Sequence, residues 1–318
     1  MSFAFRFSAT AAALALSLSL GTAAQAEDLK EFNVGFQKNG VLVVARQQQL
    51  IEKALADEGI KVNWIEFQSG PPLLEALNVG SVDFGTTGDS PPVFAQAAGA
   101  DLLYVAAIPS KGRNSAILVQ KNSELKTLDD LEGHKLAFTK GSSAHNVAIA
   151  ALEKAGLSYD DVTPVYLSPA DAGAAFATGS VDAWSIWDPF YAGAELNYGA
   201  RVLASGPDIL GQTNSFFLAN GTFTKAHPEV VKQAIAALGE AGDWANQNKD
   251  KVAVALSEAT GVPVAVQKLT ADRGEFTVTP VTPDIVASQQ EVADRFAKLG
   301  LIPAPIKVSD VVWSAPQS

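Results

Sequence analysis

The 318-residue chain contains no cysteine. That absence excludes disulfides, thiol nucleophiles and thiolate-bound metals. It also removes the residue through which many exported proteins are tethered by lipid. Histidine is scarce as well. His134, His145 and His227 stand far apart, with none of the spacing that places two metal ligands on one helix face. There is no Gly-x-Ser-x-Gly elbow and no Gly-x-x-x-x-Gly-Lys loop. Positive charge is in deficit, with 23 Lys and Arg against 34 Asp and Glu and a formal net charge of −11. That balance argues against nucleic acid or an anionic membrane as partner. It does not argue against a small anion held at a local helix end. After residue 26 no apolar run reaches the roughly 20 residues of a membrane span.

Residues 1–26 read as a secretory signal peptide. Arg6 lies in the short n-region, Ala9 to Leu20 is apolar, and Ala24-Gln25-Ala26 is a small-x-small cleavage site. The apolar run is too short for a membrane anchor. Removing the leader takes away Arg6 and brings the formal charge to −12. An exported chain without an anchor needs an outer membrane to retain it, so the expected location is the Gram-negative periplasm, with full secretion the weaker reading. An apolar content of 47% with 18% charged residues is globular, and the length accommodates two lobes.

The chain carries one module twice, 99 positions apart (180 minus 81). The first copy has Ser69, Pro71-Pro72, Ala76, Gly80-Ser81-Val82-Asp83, and Asp89 beside Pro91-Pro92. The second has Ser168, Pro169, Ala175, Gly179-Ser180-Val181-Asp182, and Asp188 beside Pro189. Serine before a proline-containing first turn starts a helix, and glycine just past its end stops it. Each copy therefore reads as helix, turn, strand and new helix start. Asp83 and Asp182 are expected to stabilise the glycine turns.

Strands are predicted at 32–37, 62–67, 82–86 and 102–107, with helices at 43–57, 71–79 and 91–98 between them. A second series follows, with strands at 116–120, 136–139, 164–167, 181–187 and 201–204 and helices at 144–155, 169–178 and 189–197. Strand 215–219 and a long helix from His227 to about Gln247 come next, and Gln289–Leu299 is amphipathic. Alternation with short connections predicts doubly wound, mostly parallel sheets flanked by helices. The expected fold is α/β and two-lobed, with 27–115 and 217–318 forming lobe 1, 116–216 forming lobe 2, and two hinge crossings near 112–120 and 212–220.

Ligand-binding candidates lie at the carboxyl ends of strands, where open α/β sheets bind their ligands. In lobe 1 they are Gln37, Gly70, Thr87, Gly88 and Asp89. In lobe 2 they are Ser142, Ser143, His145, Trp187 and Asp188. Helix starts present N–H groups and a partial positive charge, which together with hydroxyls suit an oxyanion. None of these segments requires lysine or arginine, which favours a weakly basic group such as a sulfonate over a phosphate dianion. Trp187 offers a flat apolar wall, or core. Asp89 and Asp188 either cap their helices or face the ligand. His145 contacts ligand or packs at its helix start. Caps in an anion-attracting site are expected to keep both aspartates ionised, which disfavours a catalytic acid. No catalytic residue, metal or cofactor is expected.

The stretches Glu75–Gly85, Thr87–Asp101, Lys140–Asn146, Ser168–Phe176 and Val181–Phe190 closely resemble the periplasmic aliphatic sulfonate-binding proteins of ABC importers. The resemblance runs over nearly the whole mature chain and is strongest from 64 to 191. Taurine, nitrate and thiamine-precursor binders share the Gly-x-(Val/Ile)-Asp layout. The combined Thr-Gly-Asp-x-Pro-Pro, Lys-Gly-Ser-Ser-x-His-Asn and Trp-Asp-Pro set is more similar to the alkanesulfonate branch. The resemblance implies a type II periplasmic binding-protein fold that closes on a small organic sulfonate and docks on an inner-membrane ABC permease. It implies a sulfonate between Gln37, Gly70 and Thr87–Asp89 on one side and Ser142–Ser143 on the other, with Trp187 and Asp188 along the tail. Taurine or nitrate specificity, and a sensor on the same fold, are the alternatives. A monomer is expected, since no large apolar surface or coiled-coil pattern is evident.

Overall fold

In the computed structural model, which describes residues 29–315, the chain forms two five-stranded sheets with one shared strand order. The signal peptide expected at 1–26 lies outside the described residues. Lobe 1 begins with β1 (Glu31–Phe36), α1 (Val41–Gln48), α2 (Leu50–Ala54), β2 (Lys61–Glu66), α3 (Gly70–Asn78), β3 (Phe84–Thr87), α4 (Ser90–Ala97) and β4 (Leu102–Ser110). Lobe 2 follows with β5 (Ser115–Val119), β6 (Lys135–Phe138), α5 (Ser143–Lys154), β7 (Thr163–Tyr166), α6 (Pro169–Ala177), β8 (Ala183–Trp187), α7 (Phe190–Tyr198), β9 (Arg201–Ser205) and the short α8 (Gly206–Ile209). The chain returns to lobe 1 through β10 (Thr213–Asn220). It ends with α9 (Gly221–Ala226), α10 (Pro228–Gln247), α11 (Lys249–Thr260), α12 (Val264–Arg273) and α13 (Pro283–Lys298).

The sheets run β2-β1-β3-β10-β4 and β7-β6-β8-β5-β9. In each, the strand that arrives from the other lobe is the antiparallel one, and it sits one place in from the edge. The remaining central pairs are parallel. The sequence repeat is a structural one: α3 and α6 start 99 residues apart (169 minus 70), and Gly80 and Gly179 take φ of 74° and 72° in the left-handed region that favours glycine.

Asp83 and Asp182, expected to stabilise the glycine turns, instead direct their carboxylates to the neighbouring strands. The Asp83 carboxylate accepts from the Asn33 backbone N–H at 2.7 Å, and Asp182 accepts from the Lys135 N–H at 2.8 Å. Each pins the start of the neighbouring parallel strand, in the same place in both lobes.

Three boundaries differ from the sequence reading. Residues 213–216, expected in lobe 2, belong to lobe 1, because β10 pairs with β4 from Thr213↔Ser110 onward. The strand expected at 215–219 begins two residues earlier, at the polar pair Thr213 and Asn214, which carry no apolar strand signal. Ser115, expected in lobe 1, pairs with Trp187 in the second sheet. The single helix expected over 43–57 is two, broken where Gln49 enters the left-handed region at φ 55°.

Apolar side chains fill both faces of each sheet. In lobe 1, Phe32, Val34, Phe84 and Phe217 pack under α1, α10 and α11, while Leu73, Tyr104, Phe216 and Phe296 pack under α3, α4 and α13. In lobe 2, Ile117, Leu136, Phe138 and Val147 occupy one face and Phe176, Trp184 and Ile186 the other. Phe217 is fully buried on β10 and stacks on Phe84, with ring centroids 5.8 Å apart. Phe217→Ala should cost about 3–5 kcal/mol, read as a lower urea midpoint at unchanged m-value. A midpoint equal to wild type would show that β10 does not anchor the lobe 1 core.

Candidate functional site

The cavity between the lobes is built from helix starts. Its wall includes Gly40 and Val41 at α1, Gly70 at α3, Gly88 and Asp89 before α4, and Ser142 and Ser143 at α5. The first N–H groups of a helix have no partner within it and carry the positive end of the dipole. No lysine or arginine is among the lining residues. Gln37, Thr87, Trp187 and Asp188 join the wall, so nine of the ten residues expected from the sequence meet here.

Two glycines let the backbones approach. A Cβ at Gly70 would stand 3.1 Å from the Thr87 Cβ, and a Cβ at Gly88 would overlap the Ser143 hydroxyl and lie 3.1 Å from the Ser143 Cβ. The second contact crosses from lobe 1 to lobe 2, so the structure is closed at this point.

The tenth residue, His145, does not reach the cavity. It is fully buried, with Nδ1 accepting the Gly141 N–H at 3.2 Å and Nε2 3.0 Å from the Tyr159 hydroxyl. With Nδ1 an acceptor, the ring proton sits on Nε2 and donates to Tyr159. Phe138 stacks on the ring from lobe 2, and Phe94 and Phe296 pack on it from lobe 1. Burial, with the charge of Lys140 nearby, holds its pKa down to about 3.

Neither aspartate is a simple cap held ionised. Asp89 makes no capping hydrogen bond with its side chain. Its carboxylate accepts from Ser90 Oγ at 2.8 Å and from the Asn146 amide of lobe 2 at 2.8 Å, and burial raises its pKa. Asp188 Oδ1 accepts the Ala192 N–H at 2.9 Å and the Arg273 guanidinium of lobe 1 at 3.3 Å. Burial pushes the Asp188 carboxyl up to about 7, against the downward pull of Arg273 and the Ala192 N–H. The expectation that the site would keep both carboxyls in their ordinary range is therefore corrected: desolvation outweighs the anion-attracting groups around them.

The serines divide their work. The Ser142 hydroxyl donates its single proton to the Thr139 carbonyl at 2.7 Å, so it holds the turn. The Ser143 hydroxyl faces Gly88 on the cavity wall. Gln37 donates to the Thr86 carbonyl at 3.2 Å, and the Thr87 hydroxyl donates to the Gly88 carbonyl at 3.0 Å.

Sequence reasoning missed the groups that tie the lobes. Arg273, at the end of α12, bonds Asp188 and, at 2.5 Å, Glu195, and its guanidinium lies 3.8 Å from the Tyr191 ring centroid. On the other flank Arg295 bonds Asn146 Oδ1 at 2.8 Å and Glu153 at 3.0 Å. Asn39 donates to the Asp188 carbonyl, and Glu275 accepts from the Lys111 N–H at the first crossing. Thr270, Glu275 and Phe276 also line the cavity. The only sequence signal was the charged break Arg273-Gly274-Glu275, which no local motif distinguishes from a solvated turn. Asp188 Oδ2 and Asn214 Oδ1, both on lining residues, are buried with no hydrogen-bond partner among the described residues.

Residues 55–252 match the NMT1/THI5-like family. The chain belongs to that family. Within it, the chain is 42% identical to the alkanesulfonate-binding protein SsuA of Xanthomonas axonopodis pv. citri bound to MOPS, with TM-score 0.84 over 91% of this chain and 99% of that one. It is 43% identical to the periplasmic aliphatic sulphonate binding protein SsuA of Escherichia coli, with TM-score 0.81 over 91% and 94%. It is also 44% identical, over 93% of this chain and 92% of the other, to an Escherichia coli (strain K12) protein named for aliphatic sulfonate binding. These family members carry the two-lobed fold, and the resemblance read from the motifs extends over nearly the whole described chain.

The histidine sets a pH dependence. An unfolded chain takes up the His145 proton near 6.5, whereas the folded one excludes it until about 3. The unfolded state binds more protons across that window, so this residue lowers stability as pH falls through it. The raised Asp188 acts with the opposite sign, so the comparison needs a variant. His145→Gln should lose less stability than wild type between pH 6.5 and 4, the slopes differing by up to about 1.4 kcal/mol per pH unit in urea unfolding. Equal slopes would refute the buried neutral imidazole.

Proposed function

We propose that the protein captures aliphatic sulfonates in the interlobe cavity and delivers them, without chemistry of its own, to an ABC permease for sulfur uptake. The observation that carries this reading is the convergence of four helix starts on one closed cavity lined by no lysine or arginine. A sulfonate is a weakly basic, permanently ionised group with three acceptor oxygens, and peptide N–H groups can satisfy them without a counter-charge. The names of the similar proteins support the ligand class, and the periplasm fits both those names and the leader read at 1–26.

The geometry refines the roles. The sulfonate sits against the first turns of α3, α4 and α5, with Gln37 and the Thr87 and Ser143 hydroxyls beside it. Asp89 contributes its backbone at the α4 start, since its carboxylate is engaged by Ser90 and Asn146. Trp187 flanks the tail. Asp188 Oδ2 and Asn214 Oδ1 accept from any amine or hydroxyl the tail carries, which keeps taurine-like ligands as the second reading. The binding reading is favoured over catalysis by the similar proteins, which are named for sulfonate binding.

Calorimetric titration of the mature protein, unfolded and refolded to strip carried ligand, tests the reading. Alkanesulfonates should bind one to one. Ser143→Ala should weaken them about tenfold or more, the worth of a hydrogen bond to a charged group. Gly88→Val should weaken them further by holding the lobes apart, with a larger radius of gyration in small-angle scattering of the ligand-saturated sample. A response to nitrate with silence across the sulfonates would overturn the ligand while leaving the fold.

A further inference from the structure

A second concavity lies on the outer side of the lobe junction, a groove of about 460 Å³. Trp184, Phe190 and Tyr198 of lobe 2 form one wall, and Val262, Pro263 and Val266 of lobe 1 form the other. The trough exists because α6 and α7 present small residues to it, Gly173 and Ala174 on one helix and Gly193 and Ala194 on the other. At its rim Lys38 pairs with Glu66 at 3.5 Å, so the mouth carries no uncompensated charge from that pair.

A small cavity of about 30 Å³ lies between this groove and the ligand cavity. Gln37, Asn39 and Trp187 line both it and the ligand cavity, while Lys38, Gln68, Pro189 and Phe190 line both it and the groove. The three spaces thus follow one another past the half-buried Trp187, whose ring stands edge-on to Phe190 at 6.3 Å. Trp187, which lines both the cavity and the small space, is half-buried, and a side chain can turn on a far faster timescale than lobes move.

We infer that the groove is a tail subsite for long-chain or aromatic sulfonates. It rests on the sulfonate reading: the charged head stays at the helix starts, and the hydrocarbon passes Trp187 and Phe190 to lie between the two lobes. The occupant is apolar because the walls are largely so, and it is the ligand's own tail because the small space between them shares lining residues with the cavity on one side and with the groove on the other. Both lobes contribute a wall, so a tail in the groove favours the closed form. Short sulfonates leave the groove unused, which makes it a determinant of chain-length preference.

The test is a titration series from methanesulfonate to decanesulfonate on wild type, Gly193→Leu and Ala170→Phe. A Cβ at Gly193 meets nothing nearer than Asn197 Nδ2 at 3.9 Å, and leucine is the better helix former there. Ala170 is exposed on the first turn of α6. Both variants fill the trough without touching the cavity. Wild-type affinity should rise by up to about fourfold per added methylene once the tail passes Trp187. Both variants should flatten that rise and bind the short sulfonates as wild type does. If the variants follow wild type at every length, or if wild type gains nothing with length, the subsite is refuted and the sulfonate reading stands. If wild type binds no sulfonate of any length, the sulfonate reading falls and the subsite with it.

Discussion

Every helix start on the cavity wall follows a strand that ends at the cleft, and the rest of the molecule is arranged around that constraint. Peptide dipoles act over a short range and only within a turn of the helix end. To sum at one point, α1, α3, α4 and α5 must be aimed by two separate sheets and brought within contact distance. Glycine at 70 and 88 is the local consequence, since a Cβ at either place would stand where another chain segment already lies. The acidic overall balance is compatible with anion capture for the same reason: the binding charge is built into the backbone and does not appear in a residue count.

Closure is held by ionic and amide contacts at the flanks of the cavity, two of which end on the wall residues Asp89 and Asp188. Arg273 joins α12 to Asp188 and Glu195, and Arg295 joins α13 to Asn146 and Glu153. Burying the carboxylates of Asp89 and Asp188 costs solvation, and their raised pKa values record that cost. Each is offset by a partner from the opposite lobe, so separating the lobes would strip those partners away. The buried imidazole of His145 contributes differently, as a flat neutral ring sandwiched where Phe94 and Phe296 of one lobe meet Phe138 of the other.

Much of this was written in local sequence. The duplicated Gly-Ser-Val-Asp module, with its serine and proline helix starts, located the paired α/β units, and nine of the ten ligand-binding candidates read at strand ends lie on the wall of one cavity. What local pattern could not supply was partnership between distant segments. His145 occupies a helix start in sequence, yet its ring turns inward because Gly141 and Tyr159 satisfy both nitrogens. Asp89 has the sequence of a cap, yet an asparagine 57 positions away claims its carboxylate. Arg273 is one of many charged residues in a helical C-terminal region, and only tertiary packing sets it over Tyr191. The start of β10 was missed because residues that face a cleft carry no apolar alternation.

The exchange of one strand between lobes also orders how the molecule is made. Strand β10 lies between β3 and β4, yet it is the last of the ten strands among the described residues. A polypeptide emerging amino end first must therefore present β3 and β4 with an open seam between them while all of β5 to β9 is delivered. Lobe 2, by contrast, has its five strands in one uninterrupted stretch and can complete its sheet first. Until β10 arrives, the apolar faces and unpaired edges of the first lobe stay exposed, the condition in which a chain is most prone to wrong pairing. The insertion that gives the cleft its two sides thus makes the first lobe to be synthesised the last to be finished.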